Sequence, residues 1–321
     1  MKPVQTYESI QDRIKQVEER IRAQSDGHHP ELGAALGHLL SSGGKRVRPT
    51  VTLLMGEMLG ADPDRLINLA AAIEMLHTAT LVHDDLIDGA LLRRGIPTLN
   101  AQWTPAATVL AGDFIFARAA KLASDTTSVE VMQMFAETLA VIVNGEITQM
   151  FSNHEDSRRK EYFERIYAKT ASLFEVATKA SAVLSNVNQE TQNAARSYGY
   201  EIGMAFQIVD DVLDFTSEQS TVGKPVASDL RQGLITLPAI YYIDAHPDDP
   251  DVQLLLEGNH YNEDGLSRLA EAICKSSAIS KTMNEANSYL DRALNALGKL
   301  PESPERDALE DLANYIVRRD Y

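Results

Sequence analysis

The chain has 321 residues, with 30 Lys+Arg against 46 Asp+Glu, a net charge of −16 and a sequence pI of about 4.9. So few cations leave no basic face to displace counterions from phosphates, which excludes nucleic acid as a partner. The single cysteine, Cys274, rules out an internal disulfide and a cysteine zinc site, and 44% hydrophobic with 24% charged residues is globular composition, not disorder. The N-terminal MKPVQTYESIQDRIKQ lacks the apolar core of a signal peptide. No run reaches the ~18 apolar residues of a membrane span. The expectation is a soluble protein of the cytoplasm with no stable membrane insertion.

Along the chain, apolar residues recur at helical spacing between short Gly and Pro clusters. They predict helices at 6–24, 30–41, 46–59, 63–88, 104–123, 127–151, 159–184, 189–218, 228–245, 263–274, 277–298 and 303–319. Asp62-Pro63 reads as an N-cap followed by the first helical residue, Gly89 as a C-terminal stop, and Asn188 as the cap of the helix carrying Asp214. Residues 246–251 read as a polar loop, with Asp248, Asp249 and Asp251 as solvated turn residues. No segment alternates at strand period beside a hairpin turn, so the fold class is all-α, in one domain over residues 1–321. Segments 69–82 and 200–213 are apolar on most faces, which predicts burial on all sides.

Two acidic triplets interrupt this pattern. Asp84, Asp85 and Asp88, and again Asp210, Asp211 and Asp214, have the form D-D-x-x-D near the C-terminal end of an apolar helix. The i,i+4 spacing puts Asp84 with Asp88, and Asp210 with Asp214, on one face, where like charges repel. The helix dipole disfavours anions there too, by ~0.3–1 kcal/mol each. Clustered carboxylates without nearby Cys or paired His call for a hard divalent cation, Mg²⁺ foremost.

Cations in this acidic chain stand beside glycines. Gly43-Gly44-Lys45-Arg46-Val47-Arg48-Pro49 opens a helix, Arg93-Arg94-Gly95 follows the first triplet, and Lys169-Thr170 and Gly223-Lys224-Pro225 add two further points. Helix N-termini, close-approaching glycine backbone and guanidinium forks suit an anion such as a diphosphate. His77 lies two helical turns before Asp84, on the same face.

The series GGKRVRP, HTATLVHDDLID…RRG, KT, FQIVDDVLDF and GKP…DLRQG resembles the trans-isoprenyl diphosphate synthases, the polyprenyl synthetase family, over nearly the whole chain. The resemblance implies an all-α bundle around a deep apolar cavity, a homodimer, and head-to-tail condensation of isopentenyl diphosphate with an allylic diphosphate. It implies three Mg²⁺ ions, two on Asp84 and Asp88 and a third on Asp210, with Asp85, Asp211 and Asp214 supporting the metals or their waters. Arg93, Lys169, Thr170, Gln207 and Lys224 would hold the allylic diphosphate, and Lys45, Arg48, His77 and Arg94 the isopentenyl diphosphate. The six aspartates with Arg93, Lys169 and Lys224 form the implied catalytic set. The chain departs from the family pattern at Leu234, where a lysine is common, and at Ala227, where a glycine is frequent.

Product length is expected to follow what blocks the path below the first triplet. Thr80 and Ala79, four and five residues before Asp84, are small where short-chain members of the family carry aromatics, and Leu76, Met75 and Ile73 lie further down. At ~1.5 Å per residue, Asp84 to Ile73 spans ~16 Å. The expected product is hexaprenyl to decaprenyl diphosphate, with geranylgeranyl diphosphate as the alternative and transient membrane contact for its release. A catalytic subunit of a heterodimer and a class I terpene cyclase are the competing readings.

Overall fold

The computed structural model describes residues 8–41, 43–93, 95–151, 158–216, 227–256 and 263–318. The described chain is almost all helix. The first helices are α1 (Glu8–Arg22), α2 (Pro30–Ser41), α3 (Val47–Leu59) and α4 (Pro63–Ile87). After the short α5 (Leu99–Gln102) come α6 (Pro105–Asp125), α7 (Val129–Phe151), α8 (Arg158–Ile166), α9 (Ser172–Leu184) and α10 (Gln189–Thr216). The C-terminal part holds α11 (Ser228–Arg231), α12 (Leu237–Ala245), α13 (Pro250–Leu256), α14 (Glu263–Lys275), α15 (Ala278–Leu297) and α16 (Pro304–Arg318).

Helix α4 is the central column, in contact with α1, α3, α6 and α9. Its residues from Leu66 to Leu76, with Ala79 and Val82, are buried on every face, as their composition predicts. The helix is long and apolar enough to cross a membrane, but most of that stretch lies inside the bundle. Each fully buried Leu or Ile contributes ~1.5–3 kcal/mol. Asp62 caps α4 by accepting from the Arg65 amide at 3.0 Å, and Gly89 follows its end at φ +64°. Asn188 caps α10 through the Thr191 amide at 2.9 Å.

Helix α10 is the second column, packed on α9 and α15. Glycines set its approach to α9. A β-carbon on Gly199 would collide with Thr178 and Phe174, and one on Gly203 would stand 2.6 Å from Ala171 Cα. Tyr198 crosses to α16, donating to the Leu309 carbonyl at 2.8 Å.

Four local expectations are corrected. A two-stranded hairpin, β1 (Leu92–Arg93) with β2 (Ile96–Pro97), follows α4. Two residues per strand are too few to show alternation, and Gly95 at φ +76° makes its turn. The helix expected over 159–184 widens into a π turn at Tyr167–Ala171. The helix expected over 228–245 breaks into α11 and α12, because Gly233 stands at φ +81° and Pro238 lacks an N–H to continue the ladder. Of the acids at 246–251, Asp248 is exposed as expected, but Asp249 and Asp251 are not plain solvated residues. Asp249 accepts the Tyr242 hydroxyl at 2.7 Å and the Asp251 amide at 2.9 Å, and Asp251 takes both ends of the Arg268 fork.

Candidate active site

The π turn between α8 and α9 presents Lys169 and Thr170 to different neighbours. The Lys169 ammonium lies 3.5 Å from Asp84 on α4 and 3.1 Å from Glu146 on α7. The Thr170 hydroxyl donates to Gln207 Oε1 at 2.7 Å, one turn before Asp211 on α10. Two consecutive residues therefore join the two acidic helices. A π turn adds a residue to one helical turn, and such turns recur at functional sites. Gly145 allows the approach from α7, since a β-carbon there would stand 2.5 Å from Ala168 Cβ.

The charges here are unevenly balanced. Burial pushes the Asp84 carboxyl above its ordinary range. Lys169 opposes that push, while Glu146 and Asp88 reinforce it. Burial alone would lower the Lys169 ammonium, but Asp84 and Glu146 outweigh it and raise it. One ammonium thus serves several carboxylates. Asp88, the C-cap of α4, is exposed, and Asp210 is half-buried on α10. The donors are oxygens, and the acid excess suits a hard divalent cation. Among the described residues no three acidic or imidazole groups converge on one point. The protein alone offers few ligands per ion, which fits ions that also bind diphosphate oxygens.

The other three aspartates turn to the protein. Asp85 is buried and grips Arg93, whose Nε donates to its two oxygens at 2.9 and 3.1 Å. Asp211 is buried, accepting from the Tyr162 hydroxyl at 2.7 Å and from Gln207 Nε2 at 2.8 Å. Burial pushes its carboxyl up to about 7 against the pull of those two bonds. Asp214 Oδ1 accepts from the Ser228 amide and hydroxyl at 3.1 and 2.8 Å, and Oδ2 from the Asp229 amide at 3.1 Å. Its carbonyl takes the Ala227 amide at 2.8 Å. Ala227 stands at φ +56°, a conformation in which glycine is unstrained, which fits the glycine that the resemblance leads one to expect there.

Among the basic residues before α3, Arg46 turns inward. It bonds Glu18 at 3.0 Å, Glu74 at 3.1 Å and the Leu40 carbonyl at 3.1 Å. Lys45 is exposed, its ammonium 5.8 Å from the Tyr315 ring centre on α16, and Arg48 lies 4.9 Å from the Phe174 ring centre. His77 is half-buried on α4. Arg94 and Lys224 lie outside the described residues. Ala79, Leu76 and Ile73 are fully enclosed, whereas Thr80 keeps accessible surface and donates to the His77 carbonyl at 2.7 Å.

Sequence reasoning missed Glu146 and Tyr162. The signal for Glu146 was an acid after a mid-helix glycine in an apolar helix; Tyr162 stood in no motif, 49 residues from the aspartate it meets.

Comparisons with known proteins converge with this geometry. The family model described as polyprenyl synthetase matches residues 29–273. "Heptaprenyl diphosphate synthase component 2" of Geobacillus stearothermophilus is 35% identical over 324 residues, covering 100% of both chains. "Octaprenyl diphosphate synthase" of Escherichia coli is 36% identical over 287 residues, 88% of each chain. A solved polyprenyl synthase from Caulobacter crescentus, complexed with calcium and isoprenyl diphosphate, superposes with a TM-score of 0.89 at 37% identity, covering 96% of this chain and 95% of that one. With the motifs, the helical fold and full-length similarity in agreement, the chain belongs to the polyprenyl synthetase family of prenyltransferases.

Proposed function

We propose that the protein condenses isopentenyl diphosphate head-to-tail with an allylic diphosphate, in the presence of Mg²⁺, to give an all-trans polyprenyl diphosphate of hexaprenyl to decaprenyl length. The observation that carries this reading is the placing of Lys169 and Thr170, which bring cation and hydroxyl to both acidic helices at once. Asp84, Asp88 and Asp210 would hold three Mg²⁺, whose chemistry is to stabilise negative charge on the leaving diphosphate. Lys169, Thr170, Gln207, Arg93 and Lys224 would hold the allylic diphosphate, with Asp85 orienting Arg93. As the allylic C–O bond ionises, this positive set meets the charge that develops. The allylic carbocation needs water excluded, and the apolar sides of α4 and α10 supply dry walls. Lys45, Arg48, His77 and Arg94 would orient the isopentenyl diphosphate so that its double bond attacks the cation. The departing diphosphate would accept the proton lost afterwards.

Product length follows α4. The relatives described above are named for heptaprenyl and octaprenyl products, which supports a medium or long chain. Labelled isopentenyl diphosphate with farnesyl diphosphate and Mg²⁺, followed by chromatography, tests the reading. Products of six to ten isoprene units support it, a product ending at geranylgeranyl supports the alternative, and no elongation refutes it.

The proposal includes a homodimer. Ala136, Ala140, Val143, Ile147 and Met150 form an exposed small-to-apolar stripe along α7 at three- and four-residue spacing. Such a stripe marks an interaction face. The heterodimer reading is favoured by one observation, the "component 2" in the name of the Geobacillus relative. Elongation by the purified single chain, with a dimer mass in sedimentation, supports the homodimer; elongation only after a second protein is added supports the heterodimer.

A further inference from the structure

Tyr162 of α8 is buried and begins a chain of hydrogen bonds that ends in the site. Its hydroxyl donates to Asp211 Oδ2 at 2.7 Å. Asp211 Oδ1 accepts from Gln207 Nε2 at 2.8 Å, and Gln207 Oε1 accepts from the Thr170 hydroxyl at 2.7 Å. The chain runs from α8 through α10 to the π turn.

The chemistry of each group fixes the next. A carboxylate only accepts, and a phenol has one proton to give, so Tyr162 occupies one oxygen of Asp211 and holds the other toward Gln207. That oxygen selects the amino end of the Gln207 amide and leaves the carbonyl end for Thr170. An amide has two N–H groups, and only one is engaged by Asp211. The oxygens of a fully ionised diphosphate accept and do not donate. A Gln207 whose amino end is held at Asp211 keeps its second N–H for such an oxygen, whereas a rotated amide would place its carbonyl oxygen there and repel it.

We propose that Tyr162 is a positioning residue for the allylic diphosphate. Through Asp211 it fixes the amide orientation in which Gln207 presents N–H to the anion. The proposal rests on the assignment of Gln207 to that diphosphate made above. Nothing in the motifs points to Tyr162, and its side chain does not contact the ligand in this scheme.

Steady-state kinetics of Tyr162→Phe, with each substrate varied in turn, test it. The expected result is an allylic KM raised about tenfold, the loss of one hydrogen bond to a charged oxygen, with the isopentenyl KM unchanged. In a Gln207→Leu background, removing the Tyr162 hydroxyl is expected to cause no further rise, because the group it orients is gone. A role in packing alone predicts an equal loss in both backgrounds, carried by kcat, and that result overturns the proposal. So does an unchanged allylic KM. Asp211→Asn, which conserves volume, tests the same link if Tyr162→Phe does not fold: an unchanged allylic KM there overturns the proposal as well. A wild-type chain that does not saturate with farnesyl diphosphate would refute the assignment of the site itself; a wild type that saturates beside an unaffected Tyr162→Phe refutes only the role of Tyr162.

Discussion

Gly203 lies against Ala171 so closely that a β-carbon on the glycine would stand 2.6 Å from the Ala171 Cα, with backbone rather than a movable side chain in the way. Ala171 ends the π turn that carries Lys169 and Thr170. Gly203→Ala must therefore displace α10 or that turn. The expected cost is about 1–3 kcal/mol, as for overpacking elsewhere, with a larger fall in kcat/KM than stability explains. Gly37→Ala is the control: it is exposed on α2 with no atom within 4 Å of the added carbon, and is expected to gain about 0.5–1 kcal/mol. Thermal melts and steady-state rates of both variants check this, and wild-type kinetics for Gly203→Ala would refute it.

Asp214 ties Ala227 and the first residues of α11 to the end of α10. Lys224 precedes these residues in the sequence. Asp214→Ala is expected to cost about 2–3 kcal/mol through three lost acceptor contacts and to raise the allylic KM. The Mg²⁺ concentration giving half-maximal rate should stay put if Asp214 acts as a clamp. A marked rise would make it a metal ligand instead.

Ala79 and Thr80 are both small, but only Thr80 keeps accessible surface. Thr80→Phe is expected to shorten the product while preserving turnover. Ala79→Phe has no room to enter and is expected to destabilise by about 1–3 kcal/mol. Chromatography of the products with thermal melts separates the two; a full-length product from Thr80→Phe would show that the growing chain does not pass that residue.

The Tyr242–Asp249 bond sets a pH dependence away from the site. The Tyr242 hydroxyl holds the Asp249 carboxyl below its ordinary 3.8, against burial. A carboxylate depressed in the folded state stabilises above its unfolded value, and that stability is lost as pH falls through the folded one. Burial, with Asp249, pushes Tyr242 up to about 12, so its contribution is complete below about 10 and lost as pH rises toward 12. Tyr242→Phe should return Asp249 toward 3.8 and flatten both limbs. Carboxylate NMR titration and urea melts across pH read this directly; an Asp249 titration unmoved by the substitution counts against it.

The long helices were legible because their apolar period, caps and glycine stops are local. Asp62, Gly89 and Asn188 each act where the sequence puts them. The acid triplets were legible as pairs one turn apart. Their middle members, expected to support metals or their waters, stand one residue on, a step that rotates about 100° around the helix. Asp85 and Asp211 accordingly leave the face of Asp84 and Asp210 for Arg93 and Tyr162. What stayed hidden depends on distant partners. Glu146 matters only because α7 comes up to the π turn at Gly145, and no local pattern announces a widened turn at Tyr167.

Arg46 stands between Lys45 and Arg48, two of the residues assigned to isopentenyl diphosphate, yet it holds Glu18 on the first helix and Glu74 on the central one. The loop that would receive the second substrate is thereby suspended from the start of the chain. Changes to the first helix that look remote from the chemistry, such as a bulky fusion or a charge reversal at Glu18, would loosen the acceptor side of the reaction and leave the donor side intact.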